Sequence, residues 1–582
     1  MKIDPLKIWL VDFEFHQPEG EVPRPICMVA RNLATGETRR VWLWERKVAE
    51  CPIPLGPDIL YVAYMASAEL GCHHSLGWPL PVHVLDLSAE FRLRTSGRTL
   101  SSKRSLLGAM TYFGINGIDA TEKKELRELA IRGGPFSKKE EQDLMDYCES
   151  DVVALAHLFP AMLPYLDLPR ALVRGRYMKA VARIERTGIP IAIEELGLLR
   201  KEWNSIQKTL VTRVDRSYEV YDGTTLRRDK FLAYCDRAGI RWPRLETGQP
   251  CLKNKVFRQM ARLHPELLPL YELNSTLGKL RLNKLTVGLD GRNRFLTGTF
   301  GSKTGRNQPS SAKAVFGPSR WIRHLIKPGP GMALAYIDYD QQEFGIAAAL
   351  SGDEAMKRAY RSGDPYLEFA KLAGAAPADA TKASHPEIRD QYKVAALGIL
   401  MGMGQELLGV QTKTCGAMGR RLLRQHKEVF PDFWRWSDAQ VDRAYLGEHL
   451  TTVFGWQLCS TDESSPTLRN FKLQANGADM LRLAAIALTE RSIQVCALVH
   501  DAVLIEAPID KIEAVAAEAR ALMTAASRAV LSGFEIGTDL EIIRYPGRYR
   551  DERGQKLWET VCELAGIPEA KALHSDHPPL PI

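Results

Sequence analysis

The chain is 582 residues long, and several things are missing from it. No run of about eighteen consecutive apolar residues occurs, so no segment reads as a membrane-spanning helix. The first fifteen residues, MKIDPLKIWLVDFEF, meet acids where a secretory leader needs an apolar core. A cytoplasmic protein without a membrane partner is expected. The 10 cysteines are scattered and none forms a Cys-x-x-Cys pair, which points to reduced core thiols and away from a zinc ribbon or a disulfide frame. Internal repeats are absent. The composition is not that of a disordered chain either: 45% hydrophobic and 25% charged residues suffice for sizeable cores. At roughly 150 residues per domain the length allows about four domains, or two or three large ones.

Charge of one sign is scarce in only one place. The whole chain carries +8, yet residues 171–330 hold 31 Lys/Arg against 13 Asp/Glu, a net +18 that leaves −10 for the rest. A basic segment flanked by acid-rich ones is the footprint of a polyanion partner next to acid-dependent chemistry.

Along the chain, apolar runs at Ile8–Val11, Ile59–Val62 and Val82–Leu87 read as strands, and residues 138–159 read as a helix. Together they predict an α/β unit ending near the proline-bounded stretch 160–169. Residues 171 to about 290 read as helical and basic. Ala333–Tyr339 and Val495–Ala507 are further strand candidates around a helix-rich block, and the last dozen residues read as a tail.

Two constellations carry chemistry. In the first, Asp12 and Glu14 flank Phe13 at a strand end, where positions i and i+2 share a face. Glu69 or Asp86 can supply a third carboxylate, Asp86 being read as structural, and Asp151 a fourth. Clustered carboxylates repel unless a divalent cation neutralises them. Tyr147, four residues before Asp151, shares its helical face and can orient a water.

The second comprises three pieces. Ile337-Asp338-Tyr339-Asp340-Gln341-Gln342-Glu343 is a strand ending in acids. Arg389, Lys393 and Leu397 recur at helical spacing, with Pro386 suited to the first turn of that helix. Leu498-Val499-His500-Asp501-Ala502-Val503 is an apolar run broken by one His-Asp. Two cations one turn apart suit a polyphosphate. Asp338 and Asp501 can hold two metal ions about 3.5–4 Å apart, one activating an attacking oxygen and one stabilising a leaving group.

The first constellation resembles the DEDD 3′–5′ exonuclease domain that proofreads for many DNA polymerases. Asp12 and Glu14 match its first motif, and Tyr147 with Asp151 its third. At the second motif, Tyr64-Met65-Ala66-Ser67-Ala68-Glu69 lacks the family's Asn and offers Glu69 in place of aspartate. The second constellation resembles motifs A, B and C of the family A DNA polymerases, the Klenow-like class of bacterial DNA polymerase I and its phage relatives. Thr304-Gly305-Arg306, Asn470-x-x-x-Gln474 and Arg183-Ile184-Glu185-x-x-Gly188-Ile189 resemble further segments of that family, so the likeness runs from residue 1 to about 550.

The resemblance implies a ribonuclease-H-like exonuclease domain over 1–165, of mixed α/β class. It implies a right-hand polymerase over 170–582, with a helical thumb at about 195–300, helical fingers at about 355–450 and an antiparallel palm sheet as the remainder. Asp338 and Asp501 would be the catalytic metal pair, with the Tyr339 carbonyl as a further ligand. Arg389 and Lys393 would grip the triphosphate, Lys393 serving as proton donor to pyrophosphate. Glu343 would exclude a 2′-hydroxyl. Arg306, Asn470, Gln474 and His500 would touch primer–template DNA. Asp12, Glu14 and Asp151 would hold the exonuclease metals, with Glu69 and Tyr147 beside them. The implied cofactor is Mg2+, two ions at each site with Mn2+ as a substitute, and the implied partners are primer–template DNA and dNTPs, for a monomer.

The departures from the family concern the pocket of the new base pair. Leu397 and Met401 stand where it has aromatics, Tyr366 where it has His, Ala502 where it has Glu, and Gly345 where it has Arg. A pocket lined by flexible Leu and Met predicts altered base or sugar selectivity, suited to a phage genome with a modified base such as 2-aminoadenine. The alternatives are a degenerate exonuclease domain, or a single-subunit RNA polymerase-like enzyme, against which Glu343 speaks.

Overall fold

The computed structural model describes residues 4–115, 120–279, 282–317, 319–459 and 463–567, so the C-terminal tail read from the sequence lies outside the described residues. The chain forms two compact units. One gathers the chain up to Gly188, Leu296–Pro309 and Met332–Ile542; the other holds Ile189–Phe295, Ser310–Gly331 and the chain from Ile543.

The first unit opens with strands β1 (Ile8–His16), β2 (Arg24–Asn32), β3 (Thr38–Trp42), β4 (Leu60–Ala63) and β5 (His83–Asp86), in the order β3-β2-β1-β4-β5. β1 pairs antiparallel with β2 and parallel with β4. The Ile-Trp-Leu-Val run makes β1 the central strand, because alternate residues leave opposite faces. Ile8 and Leu10 enter one apolar core, while Trp9, Val11 and Phe13 enter another.

Among the helices that dress this sheet are α1 (Ser67–Leu76), α2 (Leu87–Arg94), α3 (Lys138–Met162) and α4 (Leu168–Thr187). A Ser137–Glu140 capping box starts α3. The helix then runs through Pro160, where the sequence suggested an end. A proline this close to the C-terminus removes one backbone bond, and Leu155, Leu158, Phe159 and Met162 bury the face that holds the helix in place. α4 lies with its backbone on β5: a Cβ at Gly175 would sit 1.8 Å from the Val84 carbonyl oxygen. Beside it Arg174 makes a buried two-pronged pair with Glu90 of α2, at 2.5 and 2.8 Å. On its other side Arg176 pairs with Glu490 at 3.0 and 2.7 Å.

The same unit contains a second sheet. Its strands are β6 (Met332–Tyr339), β7 (Gln494–Val499), β8 (Ala502–Pro508) and β9 (Thr538–Arg544), in the order β7-β8-β6-β9. β8 runs antiparallel to both β6 and β7. The apolar run 495–507 is thus a hairpin, folded at His500–Asp501 with His500 at φ 56°. Between β6 and β7 come α5 (Gln342–Ser351), α6 (Pro365–Leu372), α7 (Pro386–Leu400) and the long, largely buried α8 (Ser465–Glu490); α9 (Ile512–Val530) follows β8. Pro386 occupies the first turn of α7. The Tyr339 hydroxyl donates to the Met523 carbonyl at 2.8 Å, tying β6 to α9.

The second unit is mainly helical, with helices Ile193–Lys201, Trp203–Asp215, Arg228–Arg237, Asn254–Leu263, Leu268–Lys279 and Glu552–Ala565. Phe231, Trp242 and Phe257 form an aromatic core there, with ring centroids 4.7–5.4 Å apart. Mixed α/β content with a small antiparallel sheet is the fold class the resemblance implied. No helix among the described residues is long and apolar enough to cross a membrane.

Candidate active sites

On β1 the i, i+2 spacing sends Asp12 and Glu14 to one face, and the packing of Val152 and Leu155 on the sheet brings Asp151 of α3 to them. One carboxylate oxygen from each of Asp12, Glu14 and Asp151 lies within 4.8 Å of the others. Cys148, one turn before Val152, donates its thiol to the Asp12 backbone carbonyl at 3.3 Å and lies 3.4 Å from the Asp12 carboxylate. Sequence reasoning passed over this residue, although it directly follows Tyr147.

Burial pushes the Glu14 carboxyl well above its usual range, and the charges of Asp12, Cys27, Asp151 and Glu69 push the same way. Glu69, on α1 and buried, is raised first by burial and then by Asp12. It lies near the trio without joining it, and its Oε2 is buried without a hydrogen-bond partner. Tyr147 keeps its phenolic proton well above the ordinary pKa through burial and the charges of Asp151, Glu14 and Asp12. Asp86 is the N-cap of α2 and accepts from the backbone N–H groups of Met65, Ala66, Ser88 and Ala89, a structural duty. An acidic trio beside an orphaned buried oxygen fits a divalent cation.

In the second sheet Asp338, the penultimate residue of β6, faces Ala502 across the ladder, and the Tyr339 N–H reaches the Asp501 carbonyl at 3.4 Å. Asp338 and Asp501 therefore stand at neighbouring ends of β6 and of the β7–β8 turn. Burial, followed by the charge of Asp501, pushes the Asp338 carboxyl up to about 8. Its Oδ1 is buried with no hydrogen-bond partner, so this site also fits a divalent cation.

Around the pair the structure gathers the other candidates. Glu343, in the first turn of α5, lies 3.8 Å from the Arg306 guanidinium. Arg306 donates to the Gln474 carbonyl at 3.4 Å, and the Gln474 amide points at the Met401 sulfur, 3.6 Å away. Asn470, one turn before Gln474 on α8, has a buried Oδ1 without a partner. Arg389 and Lys393 of α7 flank Tyr366, at 5.6 and 6.0 Å from its ring centre. Burial and the Arg389 charge draw the Lys393 ammonium below its usual pKa. Leu397, the next turn of α7, is partly buried against the core, while His500 is exposed.

Arg389 is not loose. Its Nε donates to Asp364 at 2.9 Å, and Asp364 also caps α6 by accepting from the Leu367 N–H. The sequence signals the cap, since Asp-Pro opens a helix, but not the ion pair, which depends on how α6 and α7 cross.

Residues 313–540 match the family model described as DNA polymerase family A. The DNA polymerase of Mycobacterium phage D29 is 24% identical over 425 residues, covering 69% of this chain and 67% of that protein. The DNA polymerase I of Aquifex aeolicus is 23% identical over 444 residues, covering 69% of this chain and 74% of its own length. The thermostable DNA polymerase I of Thermus aquaticus is 26% identical over 217 residues, and the match spans only 26% of that protein. Among solved structures, the POL domain of Pol1 from M. smegmatis, in complex with DNA primer-template and dNTP, shares the fold. The TM-score is 0.68 at 17% identity, over 95% of this chain and 96% of that one.

Proposed function

We propose, from the premise that this chain carries a family A DNA polymerase domain, that it is a template-directed DNA polymerase with a 3′–5′ exonuclease at its N-terminal acidic cluster. The observation that carries the reading is the convergence of Asp338 and Asp501 at adjacent strand ends, with Arg389 and Lys393 on the α7 face beside Tyr366. Bound divalent cations, Mg2+ in this reading, supply charge for the attacking 3′-oxygen and the leaving pyrophosphate. The chain's own residues do the rest. Asp338, Asp501 and the Tyr339 carbonyl hold the ions; Arg389 and Lys393 bind the polyphosphate, and Lys393 hands a proton to the leaving group. Glu343, anchored by Arg306, fills the space a 2′-hydroxyl would need. Arg306, Asn470, Gln474 and His500 position the primer–template duplex.

The polymerase region runs over 170–582, with fingers at about 355–450 and a thumb at about 195–300, and the exonuclease over 1–165. In the exonuclease Asp12, Glu14 and Asp151 hold the metal, with Glu69 as the fourth acid and Tyr147 orienting the water. Met401 in contact with Gln474, and Leu397 one turn before it, give the base-pair pocket a deformable wall. This supports altered base selectivity, including use of 2-aminoadenine.

The test is primer extension with each dNTP singly and with 2-aminoadenine triphosphate, in Mg2+, on wild type, Asp501→Ala and Asp12→Ala. The expected result is extension by wild type and Asp12→Ala only, and primer degradation by wild type that Asp12→Ala lacks. No extension by wild type overturns the polymerase reading. Ordinary discrimination among all five nucleotides makes Leu397 and Met401 neutral, and ribonucleotide use rivalling deoxyribonucleotide use would favour the RNA polymerase alternative.

A further inference from the structure

Directly after Asp501 comes Ala502, which brings no carboxylate to the site. The sheet offers one from its other side. β9 borders β6 on the edge away from β8. The Asp340 N–H donates to the Gly537 carbonyl at 2.9 Å, and a Cβ on Gly537 would lie 4.0 Å from that of Asp340. The end of β6 therefore meets the start of β9, so the two strands run antiparallel, and positions 340 and 537 face the same way. Two residues further along the ladder Asp338 and Asp539 come opposite each other on that same face. Side chains so opposed have Cβ atoms about 4.5–5.5 Å apart.

The start of β9 is pinned. The Tyr360 hydroxyl donates to the Asp340 carbonyl at 3.1 Å and accepts from the Gly537 N–H at 3.0 Å. Arg520 reaches the hydroxyl and the carbonyl of Thr538, at 3.0 and 2.8 Å. Asp539 itself is exposed, and its charge acts on both Asp338 and Asp340.

We propose that Asp539 is a third carboxylate of the palm cation site, facing Asp338 across the β6–β9 edge and holding the cation, or water bound to it, from the side away from Asp501. The inference rests on the reading of Asp338 and Asp501 as cation ligands. It explains how the site keeps three acids although the residue after Asp501 is alanine: the third comes from a strand more than thirty residues downstream.

Mn2+ binding to the full chain, followed by the electron paramagnetic resonance of the free ion, tests this in an Asp12→Ala background that silences the N-terminal cluster. Asp539→Asn is expected to weaken Mn2+ binding by about three- to tenfold, which is ~0.7–1.4 kcal/mol, and to raise the Mg2+ concentration needed for half-maximal primer extension. Asp539→Glu is expected to restore most of the binding. Glu518→Gln, an exposed charge-matched change on α9, is expected to alter neither. If Asp338→Asn weakens binding and Asp539→Asn does not, the inference falls while the metal reading of the palm stands. Equal weakening by Glu518→Gln would reduce Asp539 to part of a general field and would also overturn it. If Asp338→Asn leaves Mn2+ binding intact, the metal reading fails and takes the inference with it.

Discussion

The two acidic clusters use the same side chains in opposite surroundings. In the N-terminal one, three carboxylates converge within 4.8 Å, and the strongest charges on Glu14, those of Asp12, Cys27, Asp151 and Glu69, all raise its pKa, with the Arg127 charge exerting a weaker, opposite pull on Tyr147 beside them. In the second sheet, Asp338 and Asp501 belong to a neighbourhood that also holds Arg306, Arg389 and Lys393. A cluster whose nearest charges are chiefly acidic is best offset by a bound cation. A cluster flanked by guanidinium and ammonium groups can accept a cation and a polyphosphate together. The difference teaches that clustered acids do not by themselves specify a reaction; the counter-charges around them do.

That contrast can be broken most decisively at the second sheet. Asp501→Ala is expected to lower single-nucleotide insertion by about a thousandfold or more, ~4 kcal/mol of transition-state stabilisation, while primer degradation continues. Insertion kinetics beside a degradation assay read both. The mirror experiment, Asp12→Ala, should lower degradation by roughly a hundredfold and leave insertion within about twofold; equal loss of both activities would mean that the clusters are not independent. Thermal melting sharpens the comparison further. Without metal, Glu14→Gln removes repulsion and should raise the melting temperature by a few degrees. With saturating Mn2+ the order should reverse, because the wild type gains binding energy that the variant lacks. A variant no more stable than wild type in chelator would show that the cluster is not strained.

The smallest expected effect comes from Glu185, a carboxyl outside both clusters. It accepts from the Thr297 N–H at 2.7 Å, yet burial pushes it up to about 7. A raised folded pKa means that the folded state holds the proton more tightly than the unfolded chain does. Its contribution to stability is thus complete below about pH 4.5 and is lost as pH rises through 7. Glu185→Gln should flatten the fall in melting temperature between pH 5 and 8 by a degree or two.

What could be read from the sequence was local. The Ile8–Val11 run, the i, i+2 pair Asp12/Glu14 and the i, i+4 pair Tyr147/Asp151 each fix a shared face within one element. The His-Asp interruption of an apolar run is how a hairpin turn looks in sequence, and Pro386 announced the start of α7. What stayed hidden depended on how elements cross. Nothing in the sequence around Glu69 shows that α1 buries it beside Asp12 without placing it in the trio. Asp364 reads as a helix cap, while its bond to Arg389 is a matter of tertiary packing. Pro160 reads as a stop, and only the burial of Phe159 and Met162 shows why the helix continues past it. Asp539 follows an ordinary Gly-Thr, and its facing of Asp338 follows from strand order.

The Gly175 contact has a consequence for descent. α4 presses its backbone on β5, gives Arg174 to Glu90 on one flank and Arg176 to Glu490 on the other. A crossover just before Arg174 would part that residue from the Glu90 it fits, and one just after Arg176 would part that one from Glu490. For relatives that differ at these pairs, a junction between Arg174 and Arg176 is therefore expected to keep both pairs intact, and a junction elsewhere between Glu90 and Glu490 to split one of them.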